Sequence, residues 1–433
     1  MNNSRSVVAG RRGLAVAAGC AVVGAFALPN AAGVARADYD CQAGAVVIVA
    51  GTGDVGAPSQ VGVAQRYGAQ GYKVIKPGYP TTLWPLGRYG FDDDVSQGTT
   101  STLQQITDYQ KNCKDKPVVI VGYSQGARVA GDVLNQIGTG QADADGNVVV
   151  TGPDGEKYTI NRNQITGELY SDPRRDGPES GRGIELALSG IIPGLMMSGP
   201  RTGGFGDLQV TSYCEEGDPI CDLPDLFHDP FGVIDGFVGY FTKHGYYPWR
   251  MWAPVDDATV WNCDPELSST VDNHYDCVVA APSAISGVRQ GVVDQVRSAL
   301  GLAPRTVVDF WGMLPNIDRI FPHANFSDLQ QYLRPVMGLL PPLPKLGYGA
   351  YLPDVYIFTG ILQGLATFDG QAIVGNLKAL ADSLGSVAML PVNFTKYWAA
   401  QLKKVVAGKS APAGVTTLAA ALDGADRAVL FGA

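Results

Sequence analysis

Histidine is scarce in this chain, with four in 433 residues. Any chemistry that needs an imidazole must use His228, His244, His274 or His323. Charge is also thin, at 17% of residues, and no basic cluster stands out. The formal net charge is -9 and the pI about 5.0, which argues against a nucleic-acid partner. No cysteine pair has the C-x-x-C spacing of a metal site, so no metal is expected and no cofactor is implied. Beyond residue 28 no uninterrupted apolar stretch reaches 18 residues, so the mature chain is not expected to span a membrane. What is present excludes disorder: hydrophobic residues make up 45% of the chain, enough for a sizeable core. The 55 glycines and 28 prolines point to a fold rich in turns.

The first 37 residues read as a targeting segment. Arg5, Arg11 and Arg12 make a positive start, Leu14 to Leu28 is apolar, and Ala35-Arg36-Ala37 is an A-x-A cleavage pattern. Cleavage after Ala37 and export, to the medium or the cell envelope, are expected. An uncleaved anchor is the alternative, but a span needs about 20 apolar residues. Arg11-Arg12-Gly13-Leu14 has the outline of a twin-arginine signal, and Cys20 lies too early for a lipobox and the A-x-A site to be used together. Past the signal, residues 38–278 carry a net charge of -16 and residues 279–433 one of +3. That shift separates a catalytic domain, 38–278, from a C-terminal region, 279–433.

Six cysteines remain after export: Cys41, Cys113, Cys214, Cys221, Cys263 and Cys277. An even number in an exported chain reads as disulfides. Proximity in sequence favours Cys214–Cys221 and Cys263–Cys277, which leaves Cys41–Cys113.

The start of the catalytic domain alternates strand and helix. Ala45–Ala50 and Pro117–Val121 are continuous apolar runs of the kind that become buried parallel strands, and Tyr72–Ile75 is a shorter one. Helical patterns cover 58–70, Thr99–Asn112 and the spacing Val129, Ala130, Val133, Leu134, Ile137. This alternation predicts an α/β fold with a mostly parallel sheet. Residues 147–160 read as a β-hairpin, Ile191–Met197 as an apolar flap or a buried loop, and Leu208–Tyr213 as a further strand. After Cys277 the pattern is largely helical, through Val288–Leu300, Ser327–Met337 and Ala372–Leu384, with an apolar Pro-rich stretch at 339–344.

The chemistry centres on Ser124. Gly122-Tyr123-Ser124-Gln125-Gly126 lies between a strand and a helix, the setting of a nucleophile elbow. Such a serine stands at a helix N-terminus, where backbone N–H groups favour a developing negative charge. It needs a base and an orienting acid, in the chain order Ser, acid, His. All four histidines follow Ser124, so order alone does not choose. Asp218, in the Cys214–Cys221 loop, is one candidate acid; Asp172 and Asp222 are rivals. The oxyanion hole needs two aimed donors: the N–H of Gln125, and one from Gly51-Thr52-Gly53, where the Thr52 hydroxyl offers a third. As a phosphate cradle that glycine loop lacks both the P-loop lysine and the full dinucleotide pattern.

The elbow motif together with Cys214…Gly217-Asp218…Cys221 resembles the cutinases, secreted serine esterases of the α/β-hydrolase fold. A closer resemblance is to the PE-PPE domain family, the cutinase-like serine hydrolases of mycobacteria and relatives. Asp218–Asp225 is similar to its acid-bearing segment and Gly239–Tyr246 to its histidine segment. The resemblance covers about residues 42–250. It implies Ser124 as nucleophile, Asp218 as acid and His244 as base; His228 then reads as a surface or loop residue, and His274 and His323, which lie in no motif, as structural. It also implies an acyl ester or glycolipid as substrate, with peripheral contact to membrane or envelope lipid. Some signal-bearing members of the family acylate trehalose lipids, and this chain, without a PE or PPE N-terminal domain, resembles that subgroup. It departs from a plain cutinase in a longer Ser124–Asp218 interval and in the region after 278. The alternatives are a simple secreted lipid esterase and a non-catalytic envelope binding protein; the second would be expected to have lost a triad residue.

Overall fold

The structure, a computed structural model, describes residues 40–178, 181–188, 199–226, 229–285, 295–296, 298–301, 353–389, 391–392, 395–396, 399–400 and 403. The targeting segment, the apolar stretch 191–197, His228, His323, the 327–337 and 339–344 segments and most of 288–300 lie outside the described residues.

A seven-stranded sheet organises the chain: β1 (Gly44–Val49), β2 (Tyr72–Ile75), β3 (Val118–Tyr123), β6 (Ile165–Tyr170), β7 (Gln209–Glu215), β8 (Ser269–Val271) and β9 (His274–Val279). Its order is β2-β1-β3-β6-β7-β9-β8, and every pairing is parallel except the β8–β9 hairpin. β1 and β3 are buried at every position, because helices cover the sheet and leave no polar face for alternation. α1 (Val61–Ala69), α2 (Phe91–Asn112), α3 (Gln125–Thr139) and the four-residue α4 (Ile184–Ala187) surround it, and β4 (Asn147–Thr151) with β5 (Lys157–Asn161) forms the expected hairpin as a separate sheet. α5 (Pro230–Thr242) leads into a 3-10 turn, His244–Trp249. The mostly parallel α/β architecture is the one the sequence pattern predicts.

Several elements depart from that pattern. α2 begins at Phe91, eight residues before the expected start. Its first turn carries Asp92, Asp93 and Asp94, which suit the positive end of the helix dipole but hide the apolar period. β6 has no apolar run, although it lies at the centre of the sheet. Gly167 faces Leu134, where a Cβ would come within 2.4 Å of the leucine methyl. Glu168 is buried because it meets Arg66 at 2.6 Å, with the hydroxyls of Tyr67 and Tyr170 donating to it as well. A buried carboxylate persists only when paired and hydrogen-bonded in this way. β8 and β9, which the sequence pattern also missed, form a hairpin turned at Asp272 with φ 52°.

Disulfides join Cys41–Cys113, Cys214–Cys221 and Cys263–Cys277. Beyond the sheet, α6 (Val355–Thr367) and α7 (Gly370–Ala388) pack on each other. α6 begins against the loop before α2: the Val355 N–H donates to the Pro85 carbonyl at 2.9 Å, and the Trp84 indole donates to the Pro353 carbonyl at 3.2 Å. No described helix is long and apolar enough to cross a membrane.

Candidate active site

The carboxyl ends of four neighbouring strands supply the site. Thr52 follows β1, Ser124 follows β3, Ser171 follows β6 and Asp218 follows β7, in the order in which those strands lie side by side. Open α/β sheets place ligands at this edge. The ladder extends one step into it: the Ser124 N–H donates to the Tyr170 carbonyl and the Ser171 N–H to the Tyr213 carbonyl, at 2.9 and 2.8 Å.

Ser124 sits between β3 and α3 with φ 57° and ψ -126°, a conformation that costs on the order of 1–3 kcal/mol. The turn is tight enough that a Cβ at Gly126 would lie 2.2 Å from the Val49 carbonyl oxygen. The motif glycine is therefore required by the close approach of α3 to β1. Ser124 Oγ lies 3.0 Å from Nε2 of His244. Nδ1 of the same ring lies 3.1 and 3.0 Å from the two oxygens of Asp218. Tyr123 and Tyr240 both stack on the ring, with centroids 5.1 and 5.0 Å away. The Tyr123 hydroxyl also donates to the His244 carbonyl at 2.5 Å.

Asp218 is fully buried. Burial alone would raise its pKa, but His244, the Ser171 hydroxyl and the Ile220 N–H together hold it below the ordinary carboxyl value. Ser171 was not foreseen from the sequence. Its hydroxyl donates to Asp218 Oδ2 at 2.6 Å and lies 3.1 Å from His244 Nδ1. Its backbone has φ 54°. The only sequence signal was its place beside Asp172 and Pro173, which reads as a turn.

The other donor group forms a second network. Gln125 opens α3, so its N–H has no acceptor within the helix. Its buried side chain bonds to Thr52, whose hydroxyl donates to Oε1 at 2.7 Å. That hydroxyl was expected as a third oxyanion donor; here its proton is directed to Gln125 Oε1. Gln125 Nε2 donates to Asp94 Oδ2 at 2.7 Å and to the Thr82 carbonyl at 3.3 Å.

The rival acids have other partners. Asp172 is paired with Arg201, and Asp222 accepts from the Gly217 N–H and meets Arg175. His274 lies in β9 with its ring against Phe205 and its Nε2 2.8 Å from the Ser212 hydroxyl; burial lowers its pKa. Among the described residues no group of three His, Cys, Asp or Glu side chains is placed to hold a metal.

Residues 42–229 match the family model described as cutinase. A curated relative, the carboxylesterase Culp6 homolog of Corynebacterium glutamicum, is 30% identical over 182 residues, which cover 37% of this chain and 53% of that protein. The chain thus spans about half the length of the relative it matches. Among solved structures, the catalytic core of acetyl xylan esterase from Trichoderma reesei is 19% identical, covering 48% of this chain and 93% of its own, with a TM-score of 0.30. Lysin B from mycobacteriophage D29 is 18% identical, covering 45% and 72%, with a TM-score of 0.28. His244 lies beyond the matched segment, so the geometry, and not the match, places it beside Ser124.

Proposed function

We propose that this chain is an exported serine esterase that cleaves acyl esters through an acyl-enzyme on Ser124. The observation that carries this reading is the unbroken line from Ser124 Oγ through both nitrogens of His244 to Asp218, at 3.0 Å and 3.0–3.1 Å. His244 Nε2 takes the hydroxyl proton as Ser124 Oγ attacks the ester carbonyl. Asp218 holds the Nδ1–H and stabilises the imidazolium that forms. The backbone N–H groups of Gln125 and Thr52 receive the oxyanion. The tetrahedral intermediate collapses, the imidazolium returns its proton to the leaving alcohol, and the acyl group stays on Ser124. A second hydroxyl compound, deprotonated by His244, then releases it.

The carboxylesterase name of the Corynebacterium relative supports ester chemistry. Three disulfides support export, since such bonds persist in oxidising compartments. An apolar acyl chain is supported by α5, the helix that ends two residues before His244. Ile234, Phe237 and Phe241 are exposed on it, and Trp249 and Trp252 are exposed just beyond. Aromatic side chains of this kind suit contact with lipid.

In its finer form the reading follows the PE-PPE resemblance: the second hydroxyl belongs to a sugar such as trehalose, and the product is an acylated envelope glycolipid. The test gives the purified chain a long-chain acyl ester with and without trehalose, beside Ser124→Ala, and reads products by mass spectrometry. Free fatty acid from the unmutated protein alone establishes the esterase, and acyl-trehalose establishes the transferase. No turnover by folded protein with either acceptor refutes both.

A further inference from the structure

The amide of Gln125 has two possible orientations, and its neighbours select one. Nε2 faces the Thr82 carbonyl and the Asp94 carboxylate, and neither of these can donate while Asp94 is ionised. Oε1 must therefore face Thr52, and the Thr52 hydroxyl must donate to it. The loop after β1 is thereby tied to the first residue of α3. These are the two places from which the oxyanion donors come.

Asp94 is an unusual residue to find at the root of this chain of bonds. Of the three aspartates in the first turn of α2 it alone is fully buried. Its carboxylate is met by neutral donors, the Thr82 N–H at 3.0 Å, the Thr82 hydroxyl at 3.4 Å and the Gln125 amide. Burial pushes its pKa up to about 6, with those hydrogen bonds and the nearby Asp93 as smaller influences. A buried carboxylate with no cation beside it among the described residues is an expensive way to fill space, and perturbed groups of this kind gather at functional sites.

We propose that Asp94 is a positioning residue for the oxyanion hole, acting through the Gln125 amide to hold Thr52 in register with Ser124. It touches no substrate. The inference rests on the esterase reading above and goes beyond it by assigning a role to a residue outside the elbow, the triad and the glycine loop. The expected consequence is on turnover, because misplacing an oxyanion donor weakens the transition state more than the ground state.

The test measures kcat and KM of the full chain on p-nitrophenyl butyrate for Asp94→Leu, Asp94→Asn, Thr52→Val and the Asp94→Leu/Thr52→Val pair. Leucine keeps the branched shape and removes the hydrogen bonds; asparagine retains an acceptor. Asp94→Leu should lower kcat by about tenfold or more with KM little changed. Asp94→Asn should recover most of that loss. In the Thr52→Val background the Asp94→Leu effect should largely vanish, because the pair acts in series. Gln125→Met enters the same cycle if Asp94→Leu does not fold. Additive losses, a change confined to KM, or an asparagine variant no better than leucine would overturn the positioning role while leaving the esterase reading intact. A folded wild-type protein that neither turns over the ester nor labels with a fluorophosphonate overturns both.

Discussion

Two fully buried carboxylates flank Ser124, and their pKa values move in opposite directions. Asp218, on the base side, is held below the ordinary value despite its burial. Asp94, on the oxyanion side, is raised to about 6. Burial penalises both charges, so the difference lies in the partners. Asp218 faces the His244 imidazole, whereas Asp94, among the described residues, faces an amide, an N–H and a hydroxyl. The contrast assigns the two sides different work. In the proposed mechanism one carboxylate stabilises a charge that comes and goes, and the other fixes the direction of neutral dipoles.

Breaking the base side should have the largest effect. Ser124→Ala should reduce kcat on the order of 10⁶-fold, as loss of a nucleophile in a triad does, measured with the butyrate ester. Asp218→Asn should cost on the order of 10⁴-fold, because the amide favours the wrong imidazole tautomer. A loss for Asp218→Asn as small as that for Asp94→Leu would erase the distinction between the two sides.

Ser171 sharpens the comparison on a smaller scale. Its hydroxyl is one of the donors that keep Asp218 ionised. Ser171→Ala should lower kcat/KM about tenfold, the usual worth of a hydrogen bond to a charged group. With that donor gone the Asp218 pKa rises, so activity should begin to fall at a higher pH on the acid side. A pH–rate profile unchanged in shape would show that Ser171 is only packing.

The smallest effect concerns stability. Asp94 binds its proton more tightly in the folded state, at about 6 against 3.8. Between those values the folded chain carries a proton there that the unfolded chain lacks, so this group makes stability fall as pH rises. Asp218 has the opposite sign: its contribution is present above 3.8 and is lost as pH falls through its lowered folded value. Chemical denaturation of wild type and Asp94→Asn across pH 4–6 should show the wild-type advantage shrinking with rising pH. A difference that stays flat, or grows, contradicts the raised pKa.

The same division runs through what was legible in the sequence. β1, β3 and the elbow announce themselves, because a doubly covered strand must be apolar at each position and a strained turn must have glycine beside its serine. β6 did not, because Gly167 and Glu168 interrupt it, and only the fold supplies Arg66 and Tyr67 to satisfy the glutamate. Asp218 and His244 were reached through motif resemblance. Ser171 and Asp94 were not, since each works by lying at the end of one element beside a residue from another, 47 and 31 positions away in the chain. Local pattern carries periodicity and turn chemistry; it does not carry which strand ends become neighbours.

The most direct measurement on the central claim is active-site labelling of the full chain with a fluorophosphonate, followed by peptide mass spectrometry. The account predicts one covalent adduct, on the peptide containing Ser124, formed rapidly in wild type and suppressed in His244→Ala. A folded protein that takes no label, or takes it on another residue, would contradict the assignment of Ser124 as the nucleophile.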